Sequence, residues 1–198
     1  MTPRSTSYGE RGERRVDRVL AALRRRQVEP HVPADGVVLD LGCGHGGDLL
    51  ARLAPRIREG IGVDVSVREI PPAPNVRLVA AAADGVLPLP SGSVDLVTCL
   101  AVIEHVERPE TLLAEARRVL RDGGRLVLTT PSRQAKPLLE LLALRLRLID
   151  APEILDHKRY YTPRELRAAL AAAGFAPAGT RVGRFELGLN LVAVAEAR

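Results

Sequence analysis

The 198-residue sequence contains no tryptophan, three tyrosines, two phenylalanines, one methionine and two cysteines. So few aromatics leave little on which single-stranded bases could stack. Cys43 and Cys99 cannot build a disulfide framework. No apolar run approaches the ~18 residues of a membrane span, and Met1 to Arg15 is polar and Arg-rich, without the apolar segment of a signal peptide. These absences predict a cytoplasmic chain with no membrane span. Lysine is scarce too: Lys136 and Lys158 are the only two, so the net charge of +5 is almost wholly arginine. Alongside abundant Ala, Leu, Gly and Pro, that is the codon usage of a GC-rich genome rather than a phosphate-binding pattern, and no nucleic-acid partner is expected. What is present is globular: 46% hydrophobic and 27% charged residues, long enough for one domain with its own core.

Periodicity predicts a helix over Glu10 to Arg26, where Val16, Val19, Leu20 and Leu23 recur at helical spacing. Strands are predicted at Val37–Leu41, Gly60–Val65, Val76–Ala80, Val94–Leu100 and Arg125–Thr129. A helix is predicted from Pro109 to Leu120, closed by Asp122-Gly123-Gly124, and another from Glu165 to Ala173. Strands alternating with helices mean a parallel sheet covered on both faces. The last two strands, near Ala176–Val182 and Leu189–Ala195, have no helix between them and should form an antiparallel hairpin. The segment Ser66 to Asn75 carries Pro71, Pro72 and Pro74 and has room for one helical turn or none. The expectation is an α/β fold: a doubly wound, seven-stranded, mostly parallel sheet with a C-terminal antiparallel hairpin. Within one domain, residues 1–35 form a helical cap, 36–130 a cofactor-binding core, 131–162 an acceptor-pocket insert, and 163–198 the closing helix and hairpin.

The strongest local signal is Val38-Leu39-Asp40-Leu41-Gly42-Cys43-Gly44-His45-Gly46-Gly47, a strand running into a glycine-rich loop and then a helix. Gly42, Gly44 and Gly47 satisfy the G-x-G-x-x-G spacing of dinucleotide sites, and Asp64 ends the next strand, where a carboxylate can accept both ribose hydroxyls. Three features favour a cationic ligand over a pyrophosphate. Asp40 immediately precedes the loop, Asp84 follows the third strand within reach of an adenine amino group, and the terminal hairpin is foreign to the dinucleotide fold.

In their order and spacing, several segments resemble the class I S-adenosylmethionine-dependent methyltransferases, specifically the small-molecule enzymes of ubiquinone and menaquinone biosynthesis. They are Val-Leu-Asp-Leu-Gly-Cys-Gly at 38–44, Gly-Val-Asp-Val-Ser at 62–66, Ala-Asp-Gly-Val-Leu-Pro-Leu-Pro at 83–90, Ser-Val-Asp-Leu-Val at 93–97, Ile-Glu-His-Val at 103–106, Arg-Val-Leu-Arg-Asp-Gly-Gly-Arg-Leu-Val-Leu at 118–128, and Tyr-Thr-Pro-Arg-Glu-Leu at 161–166 with Ala-Gly-Phe at 173–175. The resemblance implies S-adenosylmethionine as cofactor and a Rossmann-like fold. It places Asp40, Gly42, Cys43 and Gly44 at the methionine end, Asp64 and Val65 at the ribose, Asp84 and Gly85 at the adenine, and Leu100 toward the sulfonium.

Methyl transfer draws most of its acceleration from holding two reactants together. A base is needed only where the acceptor must lose a proton. The candidates are His105 and His157, with Tyr160 and Tyr161 orienting; the alternatives are cofactor packing for His105 and an ordinary loop position for His157. No metal is expected, because Cys43 and His45 lack a second ligand pair. The aromatic Pro-Pro signature of nucleic-acid amino methyltransferases is absent after the fourth strand. Lys136 to Ile149 is Leu-rich with Arg145 and Arg147 interleaved, a helix serving as acceptor-pocket wall, core packing or homodimer face. The reading is O-methylation of a small organic acceptor in secondary or cofactor metabolism, with N- or C-methylation and an NAD(P)-binding oxidoreductase as alternatives.

Overall fold

The computed structural model describes residues 15–141, 145 and 154–198. Seven strands form one sheet: β1 (Val37–Leu41), β2 (Glu59–Asp64), β3 (Val76–Ala80), β4 (Val94–Leu100), β5 (Leu120–Pro131), β6 (Thr180–Phe185) and β7 (Asn190–Glu196). Their order is β3-β2-β1-β4-β5-β7-β6. β1 to β5 run parallel, and β7 pairs antiparallel with both β5 and β6. The expected hairpin is therefore present, with its second strand in the interior position. Strand order reverses between β1 and β4, and in doubly wound sheets that reversal opens a crevice at the carboxyl ends of the strands.

Side-chain alternation assigns the two faces. Leu39 and Leu41 of β1, Val97 and Cys99 of β4, and Leu126 and Leu128 of β5 enter one core. Helices α3 (Pro109–Val119) and α5 (Pro163–Ala172) cover it through Leu112, Leu113, Ala116, Leu166 and Leu170, with the fully buried Phe175. Val38, Leu96 and Val127 point to the opposite face. There they meet Val28 of α1 (Arg15–Val28) and Leu49, Leu50 and Leu53 of α2 (Asp48–Leu53). A short α4 spans Lys136–Glu140. Burying such side chains contributes roughly 1.5–3 kcal/mol each. Among the described residues, no helix is long and apolar enough to cross a membrane.

Several boundaries differ from the sequence reading. β6 begins at Thr180 rather than Ala176, because Pro177–Gly179 makes a 3-10 turn closed by Gly179 N–H donating to the Ala176 carbonyl and by the Thr180 hydroxyl on that same oxygen. α3 ends at Val119 on an extended Leu120, not on a glycine cap. Gly123 (φ 76°) instead turns the chain within the long β5, its N–H donating to the Ala197 carbonyl. The Ser66–Asn75 crossover contains no helical turn, as its prolines dictate. Thr162 and Glu165 start α5 with a reciprocal capping box. Of the predicted helix over 136–149, Lys136–Glu140 is helical, and positions 142–144 and 146–149 lie outside the described residues, as do positions 10–14 of the predicted first helix.

Candidate active site

The glycine-rich loop leaves β1 with Gly42 at φ 73°, and a Cβ there would stand 2.2 Å from Val102 Cγ2. Both the left-handed backbone and the close approach exclude a side chain. Gly42 N–H and Cys43 N–H donate to the Val63 carbonyl at 2.7 and 3.2 Å, folding the loop across the end of β2. Gly44 N–H donates to Asp64 Oδ2 at 2.9 Å. Asp64 thus fixes the loop as well as presenting its carboxylate.

Asp40 lies on the same face of β1 as Val38, opposite Thr98 in the β1–β4 register. The Thr98 hydroxyl donates to Asp40 Oδ1 at 2.6 Å. Asp40 is 4% exposed. Burial pushes its carboxyl up to about 7, assisted by repulsion from Asp64 and opposed by the Thr98 hydrogen bond. Burial likewise raises both thiols, Cys43 and Cys99, which are unpaired and not nucleophilic.

These groups line one cavity of about 470 Å³, which takes in Asp40, Gly42, Cys43, Gly44, Asp64 and Val65. Asp84, Leu100 and His105 complete its predicted lining. Ala101, a non-glycine residue at φ 57°, also sits in the wall where the chain turns off β4. Asp84 carries a second duty: its Oδ2 accepts from the N–H groups of Glu107 and Arg108 at 3.1 and 3.0 Å, just ahead of α3. Gly85 is not among the lining residues; its N–H donates to the Ala82 carbonyl.

His157 and Tyr160 stand behind His105 rather than on the cavity lining. The His105 and His157 rings meet edge to face with centroids 4.7 Å apart, and His157 Nδ1 lies 3.0 Å from the Tyr160 hydroxyl. His105 Nδ1 lies 3.0 Å from Asp156 Oδ2. Lys136 Nζ approaches the Tyr160 ring to 5.8 Å. Sequence reasoning did not single out Asp156, the buried Glu104, or the cavity-lining cations Arg24, Arg25, Arg68 and Lys158. Thr98 was also missed, although its strand register with Asp40 follows from parity along β1 and β4.

Residues 11–178 match the family described as a methyltransferase domain. The chain belongs to the class I S-adenosylmethionine-dependent methyltransferases. This methyltransferase chain is 29% identical over 155 residues to a ubiquinone biosynthesis O-methyltransferase of Cupriavidus pinatubonensis, covering 69% of the chain and 59% of that relative. It is 43% identical over 101 residues to an uncharacterized 37.1 kDa protein in a Streptomyces fradiae transposon, covering 47% of the chain and 29% of that protein. It therefore spans less than two thirds of the length of either relative. A solved Burkholderia thailandensis 1,6-didemethyltoxoflavin-N1-methyltransferase, with bound 1,6-didemethyltoxoflavin and S-adenosylhomocysteine, shares the methyltransferase fold at a TM-score of 0.66 and 22% identity, over 92% of this chain and 80% of that one.

The donor set fits the family's cofactor. Asp40 is a buried carboxyl whose ionisation a neighbouring cation would restore, and Asp64 presents a second carboxylate to the same cavity.

Proposed function

We propose that this chain transfers a methyl group from S-adenosylmethionine to a hydroxyl oxygen of a small organic acceptor. The observation that carries the reading is that one cavity is lined by Asp40 and Asp64 at the glycine loop and by His105, itself held by Asp156. When bound, S-adenosylmethionine supplies a methyl carbon activated by a cationic sulfur.

Asp40, Gly42, Cys43 and Gly44 would hold the amino-acid end, Asp64 and Val65 the ribose, Asp84 the adenine, and Leu100 the sulfonium side. His105 serves the acceptor. A carboxylate facing Nδ1 favours the proton there, which leaves the basic lone pair on Nε2. His157 and Tyr160 brace that ring through their edge contact and hydrogen bond. The similarity to a ubiquinone biosynthesis O-methyltransferase supports oxygen as the methylated atom.

Calorimetric titration with S-adenosylmethionine and S-adenosylhomocysteine tests the cofactor, and mass-resolved screening of phenol, enol and amine acceptors tests the methylated atom. Micromolar binding to the wild type that is lost in Asp64→Ala is expected. Absence of saturable binding would overturn the reading, and exclusive N-methyl products would overturn its choice of oxygen.

A further inference from the structure

We propose that the methyl acceptor is an acid, and that Arg24 of α1 receives its carboxylate. This rests on the reading above, in which the cavity holds S-adenosylmethionine and a hydroxyl acceptor, and it adds the acceptor's chemical class. Arg24, Arg25, Arg68 and Lys158 line the cavity. Lys158 is neutralised, because its Nζ lies 2.7 Å from Glu107 Oε1. Among the described residues, no ion pair or side-chain hydrogen bond engages the arginines, and the Nε of Arg24 and of Arg68 is buried without a partner. The carboxylates of the lining are turned to other donors: Thr98 donates to Asp40, Gly44 N–H to Asp64, and Glu107 and Arg108 N–H to Asp84.

A guanidinium presents a planar fork of donors that matches a carboxylate, and a buried donor left unmade is costly. S-adenosylmethionine carries one carboxylate, which occupies one fork. The cavity therefore has more unpaired positive charge than its cofactor needs.

Arg24 stands at the acceptor side. Arg68 is tied to the glycine loop, its N–H donating to the His45 carbonyl at 3.0 Å. Arg24 instead lies within electrostatic reach of Glu186, in the connection between β6 and β7. That connection is fastened just past β5: the Ser132 hydroxyl donates to the Gly188 carbonyl and the Ser132 N–H to the Leu189 carbonyl, each at 2.8 Å. In the sheet β5 is two strands from β1, about 10 Å at the usual spacing. The turn carrying His105 leaves β4 and is fixed to β5 where the Thr130 hydroxyl donates to Glu104. Arg24 and His105 thus share the β4–β5 side of the cavity. Glu186 does not satisfy Arg24, since Glu186 Oε2 accepts from Asn190 Nδ2, and burial raises its carboxyl more than the Arg24 charge lowers it. A carboxylate paired with Arg24 anchors the acceptor by a group other than the one that reacts, leaving its hydroxyl to be turned toward His105.

The test is calorimetry on full-length protein saturated with S-adenosylhomocysteine, titrated with ortho-, meta- and para-hydroxybenzoate and with their methyl esters, and repeated without the nucleoside. At least one acid is expected to bind about tenfold or more tightly than its ester. Arg24→Gln should abolish that preference, and Arg24→Lys should keep part of it. Arg24→Gln should bind S-adenosylmethionine within about threefold of wild type, which verifies its fold. Acids that bind no better than their esters, or a preference that survives Arg24→Gln, would overturn the proposal. So would a loss of S-adenosylmethionine affinity of about tenfold or more in Arg24→Gln, because the guanidinium would then hold the cofactor's own carboxylate. Wild-type protein that prefers the acids but does not bind S-adenosylmethionine would overturn the proposed function and leave the acid site standing.

Discussion

At the glycine-loop end of the cavity, Asp40, the loop and Asp64 all come from a single β1-α2-β2 unit, and hydrogen bonds from loop N–H groups to Val63 and Asp64 set their geometry. At the other end, His105 meets Asp156 across 51 residues of chain, and Glu104 meets Thr130 across 26. The first arrangement is local, built from strand ends and a loop whose first residue, Gly42, has no room for a side chain. The second is an assembly of side chains from the turn after β4, from β5 and from the segment leading into α5. A rigid local unit suits a ligand that stays the same, whereas an assembled one can be rebuilt for a new acceptor by changing one segment.

Substitutions that affect one end and spare the other test this division. The largest effect is expected from His105→Ala: turnover should fall by roughly 10²–10⁴-fold, while calorimetry shows cofactor affinity within about threefold of wild type. Equal losses in both would mean the two ends are not separable. Asp64→Ala is expected to act in the opposite sense, weakening S-adenosylmethionine by about 100-fold, the scale of charge-assisted hydrogen bonds removed from a half-buried site.

A smaller effect follows from Asp40. Its carboxyl is raised to about 7 by burial, so below that pH a cationic ligand must displace a proton. Cofactor affinity should fall about tenfold between pH 8 and pH 6, with proton release detected by calorimetry in buffers of different ionisation enthalpy, and Asp40→Asn should flatten the profile. The sign for stability is the reverse of a paired acid. As pH rises from the ordinary 3.8 toward 7, the unfolded chain gives up this proton before the folded one does, so Asp40 lowers the stability of the ligand-free protein over that window. The cofactor relieves that penalty, so the rise in Tm on binding should be greater at pH 8 than at pH 6. The smallest effect belongs to neither end: Thr162→Ala removes the capping box of α5 and should cost about 1 kcal/mol in urea unfolding, with cofactor affinity unaltered.

The same division explains what could be read from the sequence. The five parallel strands and the glycine loop were legible because apolar runs, turn glycines and terminal acids lie side by side along the chain. Asp40 could be placed beside the glycine loop because it stands two residues before Gly42, and it does line the cavity. The hairpin was legible from the missing helix between the last two strands, but the place of β7 between β5 and β6 was not, since partner choice depends on edges contributed by distant segments. The start of β6 was misplaced because Ala176 to Gly179 reads as apolar, while Pro177 withholds the N–H that a ladder needs. His105, His157 and Tyr160 were recognisable as reactive types near a sheet edge, yet nothing along the chain announces that Asp156, which precedes His157, faces the ring of His105.

The position of β7 also sets an order of assembly. Among the described residues, β6 pairs with β7 and with no other strand, and the edge of β5 away from β4 is covered by β7 alone. On a ribosome, β6 emerges while its partner has yet to be made, and β5 presents an unpaired row of donors and acceptors throughout that interval. The parallel part of the sheet can consolidate early, but the sheet closes only when a strand synthesised later slides into a slot between two that are already out. An agent that delays or captures β7, such as a chaperone, a truncation or a competing strand, would leave a chain with an intact cofactor loop and one open sheet edge.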